Sequence, residues 1–434
     1  MTTPRDTLVL PATVPSVTSG DDSYPLLRST YTTERSPAAI LLPRSPSEVA
    51  DALTHAADTD LPVSVRSGGH GLSGASSNDG GIVIDLSAFS QVRVLDRKSG
   101  LVRVGAGARW AQVAAALAPH RLAISSGDHG NVGVGGLATA GGMGWLVRTY
   151  GLTIDHVRAA TLVLPAGEVV RVDQHEPDLL WAVRGAGSAV GVVTDFDLDA
   201  MALPGIHVGQ VMIEIDDGGT ALARWSEFMA SAPRELTMSG LLASAGRRLA
   251  LVLTAVIADD DPVSANAALA PLLRQPGVHT GGLTAARYTD LMPAAHRHHN
   301  LGQQPAITSN ALLEQLTPGA AHALLEVARH HLAPFVQVRT IGGATNDLAP
   351  DATAYAHRTA EILVTATVFP PRSGDELDAA TAPLAPHSVG AYRNFESRPT
   401  RESFDRAFPG ATGTRVRDLA LRYDPDGLLR RMER

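Results

Sequence analysis

The chain has 434 residues, 44% of them hydrophobic and 18% charged, and a formal net charge of −8. This length exceeds one ordinary core and predicts two or three domains. The acidic balance, with no Lys/Arg-rich run, argues against nucleic acid or an anionic membrane as partner. The absence of cysteine excludes disulfides, thiolate metal sites, a cysteine nucleophile and a cysteinyl cofactor link. The opening MTTPRDTLVLPATVPSV has no basic stretch leading into an apolar one, and no apolar run reaches membrane-spanning length. A cytoplasmic enzyme is the expectation.

Short apolar runs at 38–42 (AAILL), 63–65 (VSV), 81–86 (GIVIDL) and 101–105 (LVRVG) read as strands. Between the first two, RSPSEVADALTHAADTD reads as a helix. Ser45 caps it, Pro46 fills its first turn and Glu48 completes a capping box. Val49, Ala52, Leu53 and Ala56 then repeat on one buried face. Strand, helix, strand and glycine loop is the order of an α/β cofactor domain.

Glycine is concentrated in one part of the chain: 18 of the 41 glycines fall between Gly68 and Gly151. In VRSGGHG, His70 stands among Gly68, Gly69 and Gly71. Further on, Gly133, Gly135, Gly136, Gly141, Gly142 and Gly144 predict a long irregular loop rather than a helix. Val132, Val134, Leu137, Trp145 and Leu146 make this loop too apolar for a solvated linker. A buried glycine loop implies close approach by another backbone or a ligand. A Rossmann fingerprint fails on context, because GAGSAVG (185–191) lacks the third-glycine spacing and runs into a strand-like VVTDFDL.

Beyond Pro204 the composition shifts to alternating strands such as 248–258, separated by helices such as 262–274 and 319–332. This predicts an antiparallel sheet with helices on one face. From 385 an arginine-rich tail carries a helix near 412–422. The expected organisation is a cofactor domain over 1–205, a substrate domain over 206–384 and a tail, 385–434, that returns to the first.

VRSGGHGLSG, GVGGLATAGGMGWLVRTYGLTIDHV, DLLWAVRGAGSAVGVVTDF and AYRNFE…RYDPDGLL, in this order, resemble the berberine bridge enzyme-like oxidases of the vanillyl-alcohol oxidase superfamily. The likeness is strongest to the bacterial branch with 6-hydroxynicotine oxidases and antibiotic-tailoring oxidases. It is close over 35–205 and in the tail, and weaker between them. It implies an α+β fold, with a PCMH-type FAD-binding domain of two subdomains beside an antiparallel-sheet substrate domain. It also implies FAD joined by its 8α-methyl to His70, a reaction that needs a neutral imidazole nitrogen as nucleophile.

By the same resemblance, cofactor contacts fall on Arg66, Ser67, Gly68, Gly69, Gly71, Gly74, His129, Gly130, Val132 and Gly133. They continue through Gly135, Gly136, Gly141, Gly142, Gly144, Gly151, Leu152, Gly191, Val193 and Asn394. His129 stands where many relatives have a second, cysteinyl tether, so single attachment is expected. Leu137 replaces a histidine found in plant members near the flavin N1–C2 edge, leaving backbone N–H groups or Asn394 as donors there. Val132 falls where a small aliphatic residue favours access for O2.

Tyr392 is the candidate catalytic group. The family's sugar oxidases use a Y-x-N-Y pattern, whereas this chain has Phe395 at the last position, which suits amine better than alcohol oxidation. The expected activity is an FAD-dependent oxidase that takes hydride from a C–N or C–O carbon of a small hydrophobic or heterocyclic substrate and yields H2O2. A flavin-containing cyclase or isomerase and a flavin dehydrogenase remain open. A monomer or homodimer is expected. No metal is expected: the HRHHN run at 296–300 lacks a carboxylate at ligand spacing, and His330 and His331 sit at a helix end, where they suit dipole or solvent. Asp155 and Arg184 read as ties between loop and sheet.

Overall fold

The computed structural model describes residues 10–245, 248–292 and 305–429. The N-terminal part carries two sheets. The first has four strands in the order Ser16–Val17, Ala39–Leu41, Ile82–Asp85, Val63–Arg66; its first pair is antiparallel and the others parallel. Helix Pro46–Asp58 connects two of these strands and buries Val49, Ala52, Leu53 and Ala56, as its spacing predicts. Ser45 accepts the Glu48 N–H at 3.2 Å, while the Glu48 carboxylate takes the N–H of Arg44 at 2.8 Å. The capping box thus closes one residue earlier than expected.

The second sheet is antiparallel, in the order Val92–Asp96, Leu101–Gly105, Val192–Asp199, Val157–Val163, Val169–Val172. Strand Val192–Asp199 follows the GAGSAVG turn directly, as the argument against a Rossmann loop requires. The expectation of a wholly irregular loop from Gly133 to Gly144 is corrected: Val134–Ala138 is helical. Val134 and Ala138 are fully buried, which offsets the conformational cost of the two glycines between them. A Cβ on Gly135 would stand 3.1 Å from the Ala106 carbonyl, so the turn packs where a larger residue would crowd.

Beyond Pro204 lies a seven-stranded antiparallel sheet. Its order is Val278–Ala286, Ile206–Ile215, Arg248–Ile257, Leu236–Ala245, Phe335–Thr340, Ile362–Val368, Ile307–Leu313. Period-two alternation gives it two different faces. Val336, Val338, Ile362, Val364 and Ala366 join the core made with helices Thr220–Ser231, Pro262–Leu273, Pro318–Arg329 and Gly374–Thr381. The intervening residues point the other way, toward the N-terminal sheets. In the tail, helix Gly410–Tyr423 places Val416 and Leu419 in the core of those N-terminal sheets. Arg415 pairs with Asp178 at 2.8 Å and lies 4.1 Å over the Trp181 ring.

Candidate active site

A cavity of about 1000 Å³ lies between the glycine segments and the outward face of the seven-stranded sheet. Ser67, Gly68, Gly69, His70, Gly71, His129, Val132, Gly133, Gly135 and Gly136 line one side, with Gly191 and Val193; Tyr392 and Asn394 close the end. These residues, scattered through the sequence, are brought together. Gly69 has φ +67°, a left-handed conformation that favours glycine. Ser67 donates to the Ala106 carbonyl at 2.5 Å, and Arg109 donates to the carbonyls of Gly68 and Asn131, binding the two glycine segments to each other.

The His70 ring stacks on Tyr31 with centroids 4.6 Å apart and planes 13° apart. On another side the His129 ring lies 5.3 Å away, tilted 41°. His129 Nδ1 accepts the backbone N–H of Asn131 at 3.2 Å. A backbone N–H can only donate, so Nδ1 carries no proton and the neutral ring holds its proton on Nε2. In this arrangement His129 offers a donor to its surroundings, and its only lone pair on nitrogen is already engaged.

Tyr392 is 3% exposed, and its hydroxyl accepts from the Gly142 N–H at 3.0 Å and from Asn394 Nδ2 at 3.1 Å. Two donors on the oxygen leave the phenolic proton to point elsewhere. Burial pushes its pKa above the ordinary tyrosine value, against the opposing effect of the Gly142 and Asn394 hydrogen bonds. Asn310 fixes the backbone at this point, accepting the Tyr392 N–H at 2.7 Å and donating to its carbonyl at 3.1 Å. The Phe395 ring meets Tyr392 edge-on at 5.4 Å.

The far wall comes from cross-strand rows of the sheet: Thr308, Thr367 and Phe335; then Asn310, Thr365 and Gln337; then Leu312, Leu363 and Arg339. Thr308, Thr365, Thr367, Gln337 and Arg339 line the cavity. Arg339 donates twice to Asp128 Oδ2, at 3.0 and 2.8 Å, and its Cζ lies 4.7 Å over Phe395. Glu396 also lines the cavity, 8% exposed, and burial raises its pKa. Sequence reasoning missed Tyr31, Asp128, Arg339, Gln337 and Glu396. For Gln337 and Arg339 the signal was present in FVQVRT, where polar residues alternate with buried valines.

Eight expected cofactor residues lie outside the cavity wall. Arg66 is 3% exposed and pairs with Asp85 at 2.6 Å. Gly74 packs on Thr33, and Gly130 accepts the Ala111 N–H. A Cβ on Gly141 would stand 2.7 Å from the Tyr392 ring, and one on Gly144 2.4 Å from the Gly127 backbone. Gly142 (φ +90°) holds Tyr392; Gly151 (φ +88°) accepts from Ser125, and Leu152 packs in the Tyr392 cluster. Each of these shapes the loops behind the wall. Asp155 pairs with Arg358 at 2.8 Å, and Arg184 donates to the carbonyls of Ile154 and Asp155. The 296–300 run lies outside the described residues, and among those described no His, Asp or Glu cluster has metal-ligand geometry. The His330 and His331 rings lie 4.2 Å apart, tilted by 38°, past the end of helix Pro318–Arg329. No helix of the described residues is long and apolar enough to cross a membrane.

The FAD binding domain family matches residues 37–173, the stretch that carries His70, His129 and the glycine segments. The (R)-6-hydroxynicotine oxidase of Paenarthrobacter nicotinovorans is 40% identical over 169 residues, which span 39% of this chain and 37% of that protein. A chitooligosaccharide oxidase structure superposes with a TM-score of 0.86 over 96% of each chain at 24% identity. Residues 37–173 are thus an FAD binding domain, and over most of its length the chain is similar to FAD-linked oxidases and oxidoreductases. It has the mixed α/β fold of those structures, and its relatives' names make it an oxidoreductase. A glucooligosaccharide oxidase from Acremonium strictum, described with a 6-S-cysteinyl, 8α-N1-histidyl FAD, also shares the fold (TM-score 0.86, 23% identity, 96% of this chain and 95% of that one).

The residues of the cavity fit FAD. Gly71 and Gly136 face open space, with nothing within 4 Å of where a Cβ would stand, so the wall is bare backbone at both points. Apart from the Arg339–Asp128 pair, Arg393, Arg401 and Arg417 line it against one carboxylate, Glu396, in a chain of net charge −8. That local reversal of sign suits a pyrophosphate.

Proposed function

We propose that this protein is an FAD-dependent oxidase whose flavin is attached through His70 alone. The backbone of 67–71 and 132–136 would hold the cofactor, with Val193 and Asn394 beside it. Bound FAD supplies the two-electron acceptor for a hydride and passes the electrons to O2, giving H2O2. The observation that carries this reading is the placement of His70: it lies on the wall of a glycine-floored cavity, its ring stacked on Tyr31, with Tyr392 lining the same cavity. Stacking fixes the direction from which a neutral imidazole nitrogen presents its lone pair. His129 has its Nδ1 lone pair engaged by Asn131, which supports one tether rather than two.

At the substrate end, the Tyr392 hydroxyl meets the heteroatom of the carbon being oxidised. The Gly142 and Asn394 donors would stabilise its ionised form, the phenolate that accepts the heteroatom's proton. The substrate is a small hydrophobic or heterocyclic amine or alcohol. The buried end of the cavity, where Leu137 and Met143 are 7% and 3% exposed, keeps water from the reacting carbon.

The test begins with the purified protein. Flavin that stays with the polypeptide after acid precipitation, and is released in His70→Ala, supports the tether; wild-type flavin that extracts fully would falsify it. A substrate panel scored by flavin bleaching without oxygen then identifies the reductant. Hydrogen peroxide formed in step with turnover supports an oxidase, and a flavin that bleaches but does not reoxidise in air overturns it.

A further inference from the structure

We propose that Arg339 is the substrate-recognition residue of the cavity and that the substrate presents to it an acceptor oxygen, a carboxylate or a carbonyl. This rests on the reading of the cavity as a flavin and substrate site. Arg339 reaches the wall through strand alternation: Val336 and Val338 are buried on the helix side, while Gln337 and Arg339 face the cavity. The guanidinium is fixed before any ligand arrives. Its Nε and Nη2 both donate to Asp128 Oδ2, and Phe395 supports its face at 4.7 Å. A side chain held this way loses little further rotamer freedom on binding.

A guanidinium has five N–H groups on two edges. Asp128 occupies the Nε/Nη2 edge. At the other edge, among the described residues, Nη1 meets only Gln337 Oε1 at 3.5 Å, the limit of a hydrogen bond. The ion pair Arg358–Asp155 shows what a purely structural arginine looks like in this fold. Its side chains are 1% and 7% exposed, and Arg358 also donates to Tyr355, Thr345 and Thr353. Arg339 and Asp128 are 9% and 25% exposed, and both line the cavity. A spare guanidinium edge in a cavity wall is a bidentate site for a planar acceptor group.

The position also fits the reaction. The Phe395 ring touches both Arg339 and Tyr392. Arg339 and Tyr392 line the same cavity, so an acceptor oxygen held at Arg339 keeps a ligand in the space that Tyr392 also faces. A small aromatic acid or amide carries such an oxygen.

The experiment titrates the flavin-loaded protein with benzoate, benzamide, benzyl alcohol and benzylamine, following the visible flavin band. Benzoate or benzamide is expected to perturb the band, and the tighter of the two tells carboxylate from carbonyl. Arg339→Met should weaken that ligand at least about tenfold and leave benzyl alcohol within about twofold. Arg339→Lys, which keeps the charge and loses the fork, should weaken it several-fold. The double variant Asp128→Asn/Arg339→Met removes the unpaired carboxylate and should show the same loss. Equal affinity in wild type and Arg339→Met overturns the proposal. So does wild-type binding of benzylamine alone, which would make Asp128 the anchor, or no binding of benzoate or benzamide. If the preparation carries no flavin, the FAD reading fails separately, and calorimetric titration of benzoate still decides the role of Arg339.

Discussion

Gly68 and Gly133 cross so closely that a Cβ added to Gly68 would lie 2.3 Å from the Gly133 nitrogen, and one added to Gly133 would lie 2.2 Å from the Gly68 nitrogen. These two glycines serve the contact between loops, whereas Gly71 and Gly136 leave open space on the cavity wall. Gly68→Ala or Gly133→Ala should therefore destabilise the fold by about 1–3 kcal/mol or more, because backbone on both sides must move. Gly71→Ala and Gly136→Ala should leave melting of the flavin-free protein nearly unchanged and lower flavin incorporation. Paired thermal melts with and without FAD separate the two classes; a large melting loss for Gly136→Ala in the flavin-free protein contradicts the division.

Tyr392 is buried, and its pKa lies above the ordinary value, so its hydroxyl is protonated at neutral pH. If its ionised form accepts the substrate proton, kcat/KM rises with pH and shows no plateau below about pH 10. Tyr392→Phe should remove that rise, lower turnover about 10²-fold or more, and leave the flavin bound. A plateau near pH 7 in the wild type assigns the proton transfer to another group.

Asp155 and Arg358 join the N-terminal half to the segment after strand Phe335–Thr340, both almost wholly buried. Arg358→Met strands the Asp155 carboxylate and should cost about 3–5 kcal/mol. Asp155→Asn in the same chain should recover part of that loss. Denaturant unfolding of the single and double variants measures it, and additive losses would mean that the two residues do not act as a pair.

Glu396 has its pKa raised in the folded state, with burial as the largest cause. A carboxyl raised this way contributes stability below its unfolded pKa, and the contribution is lost as pH rises through the folded value. Glu396→Gln should therefore raise the melting temperature at pH 8 by roughly 1–2 °C and make no difference near pH 4. A gain at pH 4 equal to that at pH 8 would show that ionisation is not the cause.

The layout was legible where local physics decides it. The helix at Pro46–Asp58, the strand at Leu101–Gly105 and the strand after GAGSAVG follow from spacing, capping and context. The short helix Val134–Ala138 was not legible, because propensity argues against it and only the burial of Val134 and Ala138 sustains it. His70 and Tyr392 stood out through the family motifs around them. Arg339 and Asp128 did not, since they are separated by more than 200 residues and become a pair only when the sheet folds over the glycine segments. The tautomer of His129 is likewise set by the backbone N–H of Asn131, which sequence alone does not orient.

The sheet that forms the far wall has consequences for how such a protein changes over time. On strands Phe335–Thr340 and Ile362–Val368, Val336, Val338, Val364 and Ala366 belong to the core, while Gln337, Arg339, Thr365 and Thr367 between and beside them line the cavity. Replacing Gln337, Thr365 or Thr367 alters what the wall offers a ligand while Val336, Val338, Val364 and Ala366 keep the helices in place. Ligand choice can drift by single substitutions at little cost in folding, while the half of the molecule that grips the cofactor stays as it is.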